Sequence, residues 1–127
     1  MIFQPVITRA DLKAHPERLY LFGDNEARAG FGGQAAAMRG EPNAVGVATK
    51  RAPSMAASAM WTDGEFDRCI TIIDRDLQRA FDHAVAGGVV VCPKDGIGTG
   101  RAGLPTNAPR IWAHLRSRLV ELHKASI

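Results

Sequence analysis

The chain has 127 residues, of which 46% are apolar and 23% are charged, which excludes a largely disordered protein and allows one domain with a buried core. Its formal charge of +3 at pH 7 suits an anionic ligand without requiring one. The sequence contains neither a secretion signal nor an apolar run close to the ~18 residues of a membrane span. We therefore expect a single cytoplasmic domain, residues 1–127, with no membrane partner.

Predicted strands and helices alternate along the chain. Apolar strands flanked by amphipathic helices predict an α/β fold with a mixed or mostly parallel sheet covered on both faces, which is a three-layer α/β/α arrangement. Pro5 predicts an edge position for the first strand. In chain order we expect a strand at 2–7, a helix at 9–14 capped by Thr8, a strand at 18–23, a helix at 32–39 ended by Gly40, a strand at 43–49, a helix at 65–86 ended by Gly87 and Gly88, a strand at 89–92, and a last helix that is capped by Thr106 or Asn107 and reaches Ala125.

Cysteines and histidines give no indication of a metal centre. Cys69 and Cys92 lie in apolar segments without CxxC spacing, so we expect two buried, reduced thiols. The four histidines are dispersed along the chain, and the sequence predicts neither a metal site nor a cofactor.

Two glycine-rich loops each follow a predicted strand. The first (residues 23–35) leads into a helix, whose start offers free N–H groups that suit a phosphate. The second (residues 94–103) has four glycines within eight residues, and Thr99 adds a hydroxyl donor. Both loops are expected to open onto the carboxyl edge of the sheet, where ligands collect. The predicted ligand contacts are Gly23, Gly30, Gly32, Gly33, Gln34, Lys94, Asp95, Gly96, Ile97, Gly98, Thr99 and Gly100.

Both loops also match dinucleotide-binding patterns by letter, as GxGxxG from Gly98 and GxGxxA from Gly30. A Rossmann site requires an acidic residue about 20 positions further on, at the end of the next strand. No carboxylate stands at that place after either loop, and the GxxxxGK[ST] phosphate loop is absent. The sequence thus disfavours a nicotinamide oxidoreductase and a P-loop nucleotidase.

Asp24 and Asn25 are the candidate catalytic residues. A carboxylate beside an amide at the end of a strand can orient a water molecule or a ribose hydroxyl. An Asx turn that only shapes the loop accounts for the same residues equally well. Asp95 is a second candidate with the same alternative, and both interpretations remain open.

The two loops together resemble those of the macrodomain superfamily, over roughly residues 19–122. In that superfamily an asparagine-containing segment and a run of glycines follow one strand, and a Ser-Thr-Gly-Ile-x-Gly-like loop follows a later one. Gly23-Asp24-Asn25 and residues 30–34 stand at the first place, and residues 96–100 stand at the second. The resemblance implies a macrodomain-like fold that binds ADP-ribose or a related phosphorylated nucleotide, in a short member of a bacterial or phage family.

The resemblance also implies roles for single residues. Asn25 matches the asparagine that touches the distal ribose in ADP-ribosyl hydrolases of the superfamily. The chain departs from the superfamily at residues 5–8, where macrodomains often have Gly-Asp-Ile-Thr with an aspartate that reads adenine. By resemblance, the distal ribose and its phosphate would contact Gly32, Gly33 and Gln34, and the diphosphate would be wrapped by Gly98, Thr99 and Gly100.

Ligand binding is the leading expectation, and two alternatives stay open. One is hydrolysis of an ADP-ribosyl or cyclic-nucleotide bond, carried by Asp24 and Asn25. The other is a basic nucleic-acid or protein interaction module, indicated by the arginines at 101, 110, 116 and 118. The segment from Met55 to Trp61 is expected to cover the pocket, form a contact surface or pack into the core.

Overall fold

A computed structural model describes residues 1–126 of the chain. Strands and helices alternate in it, as the sequence predicts. In chain order the elements are β1 (Ile2–Gln4), α1 (Arg9–Ala14), β2 (Leu19–Asp24), α2 (Ala35–Met38), β3 (Ala44–Ala48), 3₁₀ turns at Ala57–Ala59 and Asp63–Glu65, α3 (Phe66–Val85), β4 (Val90–Pro93), α4 (Leu104–Asn107) and α5 (Pro109–Ala125).

The four strands form one parallel sheet in the order β1-β4-β2-β3. The predicted edge position of the first strand is confirmed, but the strand ends at Gln4 and does not reach Ile7. Pro5 has no N–H to donate to the neighbouring strand, so pairing stops at this residue. The sheet order makes β2 and β4 central neighbours, which brings together the two loops that follow them.

Helices cover both faces of the sheet and confirm the three-layer arrangement. Side chains alternate along β2, so Leu19 and Leu21 join the larger core beneath α3 and α5. Tyr20 and Phe22 point to the opposite face and join a smaller core with Leu12 of α1 and the residues of α2.

The ends of α1 and α3 follow their predicted signals. The Thr8 hydroxyl accepts from the Asp11 amide at 3.2 Å, while the Asp11 carboxylate accepts from the Thr8 amide at 2.8 Å, which is a reciprocal capping box. Gly87 has a φ of +90° just past α3, a conformation that favours glycine and ends the helix.

The predicted cap of the last helix is wrong. Thr106 and Asn107 lie inside the short helix α4, and Ala108 precedes α5 without a side-chain cap bond. The carboxylate of Asp63, which is distant in sequence, caps this helix instead. It accepts from the amides of Arg110 at 3.0 Å and Ile111 at 3.1 Å. A carboxylate at a helix start satisfies free N–H groups and opposes the helix dipole.

The predicted helix at 32–39 is also too long, because α2 is a single turn over Ala35–Met38. Gly33 has a φ of +57°, which is incompatible with an α-helical residue. The favourable field of a helix N-terminus, expected from the sequence, is therefore weak at this place.

Both cysteines are buried, as predicted. Burial raises the pKa of Cys69 to about 11 and that of Cys92 to about 12, because an apolar surrounding disfavours the thiolate. A buried, protonated thiol is a poor nucleophile. Within residues 1–126, no helix combines the length and the apolar character that crossing a membrane requires.

Candidate functional site

The two glycine-rich loops follow neighbouring parallel strands and therefore lie at the same edge of the sheet. β2 ends at Asp24 and β4 ends at Pro93. The chain then turns to opposite faces, because α2 belongs to the smaller core whereas α5 packs on the larger one. Such a change of direction opens a crevice beyond the carboxyl ends of the strands, which is where α/β sheets hold their ligands.

The crevice is a cavity of about 300 Å³ lined by the two loops, by Thr49 and Lys50, and by residues 53–55. Lys94, Asp95 and Ile97 are not among its lining residues, and Ile97 packs into the larger core instead. The predicted residues that do line the cavity are Gly23, Asp24, Asn25, Gly30, Gly32, Gly33, Gln34, Gly96, Gly98, Thr99 and Gly100.

Gln34 fastens the two loops to each other. Its Oε1 accepts from the Gly23 amide at 2.7 Å, and its Nε2 donates to the Gly96 carbonyl at 3.0 Å. One amide side chain thereby holds the end of β2 against the second loop. These two hydrogen bonds couple the positions of the two loops.

Residues 98–102 of the second loop line the cavity. The Leu104 amide donates to the Gly98 carbonyl at 3.0 Å and folds the loop back on itself. Within residues 1–126, the backbone amides of residues 98–102 donate to no protein acceptor, so those that face the cavity are available to an anion. The Thr99 hydroxyl is not an additional free donor, because it donates to the Asp95 carbonyl at 2.9 Å.

Positive charge exceeds negative charge in the cavity. Among the described residues, its charged lining consists of Asp24 and three cations, namely Arg39, Lys50 and Arg101. The excess favours an anionic ligand, because a cleft with low-dielectric walls concentrates the field of its charges.

Asp24 is engaged within the protein. The residue is 6% exposed, and both of its carboxylate oxygens accept from the guanidinium of Arg39. Oδ1 also accepts from the Asn25 amide at 2.8 Å, and Arg28 lies 3.7 Å from Oδ2. These contacts are those of a residue that shapes the loop, and they leave the carboxylate few lone pairs for a substrate proton.

Asn25 has one free acceptor. Its Nδ2 donates to the Ala29 carbonyl at 2.9 Å, whereas its Oδ1 is buried and has no hydrogen-bond partner within residues 1–126. A buried acceptor without a donor is costly. Asn25 is one of the residues that line the cavity, although this oxygen itself is buried.

Sequence reasoning missed Arg39, which supports the floor of the cavity. Its Nε donates to the Gly30 carbonyl at 2.6 Å, and its guanidinium lies over the ring of Phe22, 5.5 Å from the centroid. Arg39 was expected only as the end of a helix, and nothing in its sequence neighbourhood indicates that it turns towards Asp24.

Arg101 reaches across the mouth of the cavity. A Cβ atom added to Gly32 would lie 2.9 Å from its Nη1, so the guanidinium of the second loop rests directly against the first loop. In the described part of the chain, Arg101 takes part in no ion pair and no side-chain hydrogen bond. The position of Arg101 inside the second glycine-rich loop was sufficient to identify it from the sequence as a candidate ligand contact.

The segment from Met55 to Trp61 has two roles. Met55 is exposed and lines the cavity. Trp61 is fully buried in the larger core, and its Nε1 donates to Glu26 at 2.9 Å. One end of the segment lines the cavity and the other packs into the core.

Three of the four arginines expected to form a basic surface stack on aromatic rings. Arg110 lies 4.3 Å from the Phe66 centroid, and the guanidinia of Arg116 and Arg118 cover Trp112 and Phe81. Such stacking holds these cations against the protein. Within residues 1–126, no group of three or more histidine, cysteine or acidic side chains is arranged to hold a metal ion.

Neither the curated proteins nor the solved structures include a match to this sequence. A model of a family of unknown function, DUF7831, matches residues 2–118. The match spans most of the chain, and the protein therefore belongs to the DUF7831 family.

Proposed function

We propose that the chain binds a phosphorylated nucleotide, ADP-ribose or a close relative, in the cavity between the two glycine-rich loops. The observation that carries this proposal is a crevice lined, within residues 1–126, by a loop segment whose amides have no protein acceptor and by Lys50 and Arg101, while the one carboxylate of the lining is already paired with Arg39. Backbone amides and guanidinium groups are the usual partners of phosphate oxygens.

We assign Asn25, which lines the same cavity, as the partner of a ribose hydroxyl. Its buried Oδ1 has no donor within residues 1–126, and a hydroxyl beside a phosphate supplies one once the side chain turns towards the cavity. This pairing agrees with the role that the macrodomain resemblance implies for Asn25. Binding is proposed in preference to hydrolysis because Asp24, the candidate base, accepts from Arg39 and from the Asn25 amide.

Isothermal titration with ADP-ribose tests the proposal. We expect saturable binding that weakens as salt is raised, because the cations of the cavity interact with the diphosphate charge. The absence of heat and of any thermal shift at millimolar ADP-ribose, AMP and ADP would contradict it.

Arg101→Gln is expected to weaken ADP-ribose binding by roughly tenfold or more, since a hydrogen bond to a charged group contributes about 1.5–3 kcal/mol. Lys94→Gln is the matched control, because it removes the same charge from the same loop at a position outside the cavity lining. We expect a change of at most about twofold there, consistent with a screened surface charge. Equal losses in the two variants would point to general electrostatic attraction instead of a contact in the cavity.

A further inference from the structure

An apolar rim formed by Phe31, Pro53 and Met55 borders the same cavity. We propose, on the basis of the phosphate-binding function above, that this rim holds the base of a nucleotide by its faces. We infer in addition that the site accepts adenine and guanine nucleotides alike, because the three side chains of the rim carry no hydrogen-bonding group that reads a base edge.

Phe31 and Met55 are exposed on one side of the pocket. Their exposures are 66% and 62%, and the six other large apolar side chains that are exposed within residues 1–126 lie outside the cavity lining. The loops that carry them touch, because a Cβ atom added to Gly30 would lie 2.9 Å from Pro53 Cβ. An aromatic ring and a thioether on touching loops form a surface for a flat, apolar group.

Several polar groups of the lining already have a partner within the protein. The Ser54 hydroxyl accepts from the Ala56 amide at 3.1 Å, and the Ser54 carbonyl accepts from Lys50 Nζ at 3.2 Å. Asp24, the one carboxylate of the lining, accepts from Arg39.

Distinguishing adenine from guanine requires hydrogen bonds to the base edge, with a donor and acceptor pattern that differs between the two. Stacking does not distinguish them in this way, because every base presents a π-face. Three apolar side chains, beside a Ser54 hydroxyl that can either donate or accept, therefore predict recognition of the base without selection of its identity.

Calorimetric titration of the full chain with ADP, GDP and inorganic pyrophosphate tests the inference. The affinities of ADP and GDP are expected to agree within about threefold. Both should bind at least about tenfold more tightly than pyrophosphate, because stacking of one base adds favourable binding free energy. Phe31→Ala should weaken ADP and GDP by roughly tenfold and leave pyrophosphate within about twofold, whereas Phe31→Trp should retain nucleotide affinity.

Val6→Ala is the matched control, because Val6 is an exposed apolar residue outside the cavity. It should leave all three affinities unchanged, and thermal melts should show that every variant folds. A wild-type preference above tenfold for ADP over GDP would overturn the inference, as would an equal loss of pyrophosphate and ADP in Phe31→Ala.

The outcomes separate this inference from the proposed function. Pyrophosphate binding with no gain for ADP or GDP would overturn the base subsite and keep the phosphate site. If none of the three probes binds, the proposed function and the inference both fail.

Discussion

Replacing Gly98 with alanine is expected to lower the free energy of unfolding by about 3 kcal/mol, through backbone strain and overpacking together. Gly98 has a φ of +82°, and an added Cβ atom would lie 2.5 Å from Leu104 Cδ1 and 3.1 Å from Thr49 Cγ2. Leu104 is fully buried, so it has little space to withdraw. The variant should also lose ligand affinity, because the amides of the second loop shift with this residue.

Gly100→Ala is the matched control for this prediction. Gly100 lies in the same loop, does not have a positive φ, and has nothing within 4 Å of an added Cβ atom. Urea unfolding should place its stability within about 0.5 kcal/mol of the wild type. A Gly98→Ala variant as stable as Gly100→Ala would show that the loop does not need the backbone conformation described here.

Replacing Arg39 with methionine is the second change with a large expected effect, a loss of about 3 kcal/mol, because removal of one partner leaves a buried charge without compensation. The side chain of Asp24 is 4% exposed, and that of Arg39 is 16% exposed. Arg28 remains near Asp24 at 3.7 Å and offsets part of the cost. The variant also frees the Gly30 carbonyl, which loosens the first loop.

A double-mutant cycle with Asp24→Asn isolates the interaction between the two side chains. The double variant should be more stable than the sum of the two single losses predicts, by about 1–3 kcal/mol of coupling, which is the range for residues in direct contact. Additive losses in urea unfolding would contradict the assignment of this pair as the support of the cavity floor. Lys13→Met is a suitable control, since the Lys13 side chain is 67% exposed and lies 3.7 Å from Glu41, a contact for which about 0–1 kcal/mol is expected.

The sequence predicted the layers of the fold because local periodicity determines them. The apolar stripe of α3 predicts a helix from residues a few turns apart. The continuous apolar stretch of β4 predicts a buried strand from a few consecutive residues. The ends of helices were predicted correctly where the capping residue is adjacent to the helix in sequence, as at Thr8 and Gly87. It failed at α5, because the cap there is the carboxylate of Asp63, 47 residues before Arg110 in the chain.

The candidate site was predictable only in part. The glycines of both loops are visible in the sequence, and the rule for parallel sheets predicts that they share an edge. Their adjacency depends on the order β1-β4-β2-β3, which no single sequence pattern determines. For the same reason Arg39 was missed, since its partner Asp24 is reached through the packing of α2 against the sheet.

The central claim is that the two glycine-rich loops form one anion-binding site, and amide chemical shifts measured with ADP-ribose test it most directly. On titration, the largest changes should occur in both loops, at residues 30–34 and 96–101, with side-chain changes at Asn25. Changes confined to the surface of α5 would contradict the claim and place the binding surface away from the cavity. The absence of any change at millimolar ligand would also contradict it.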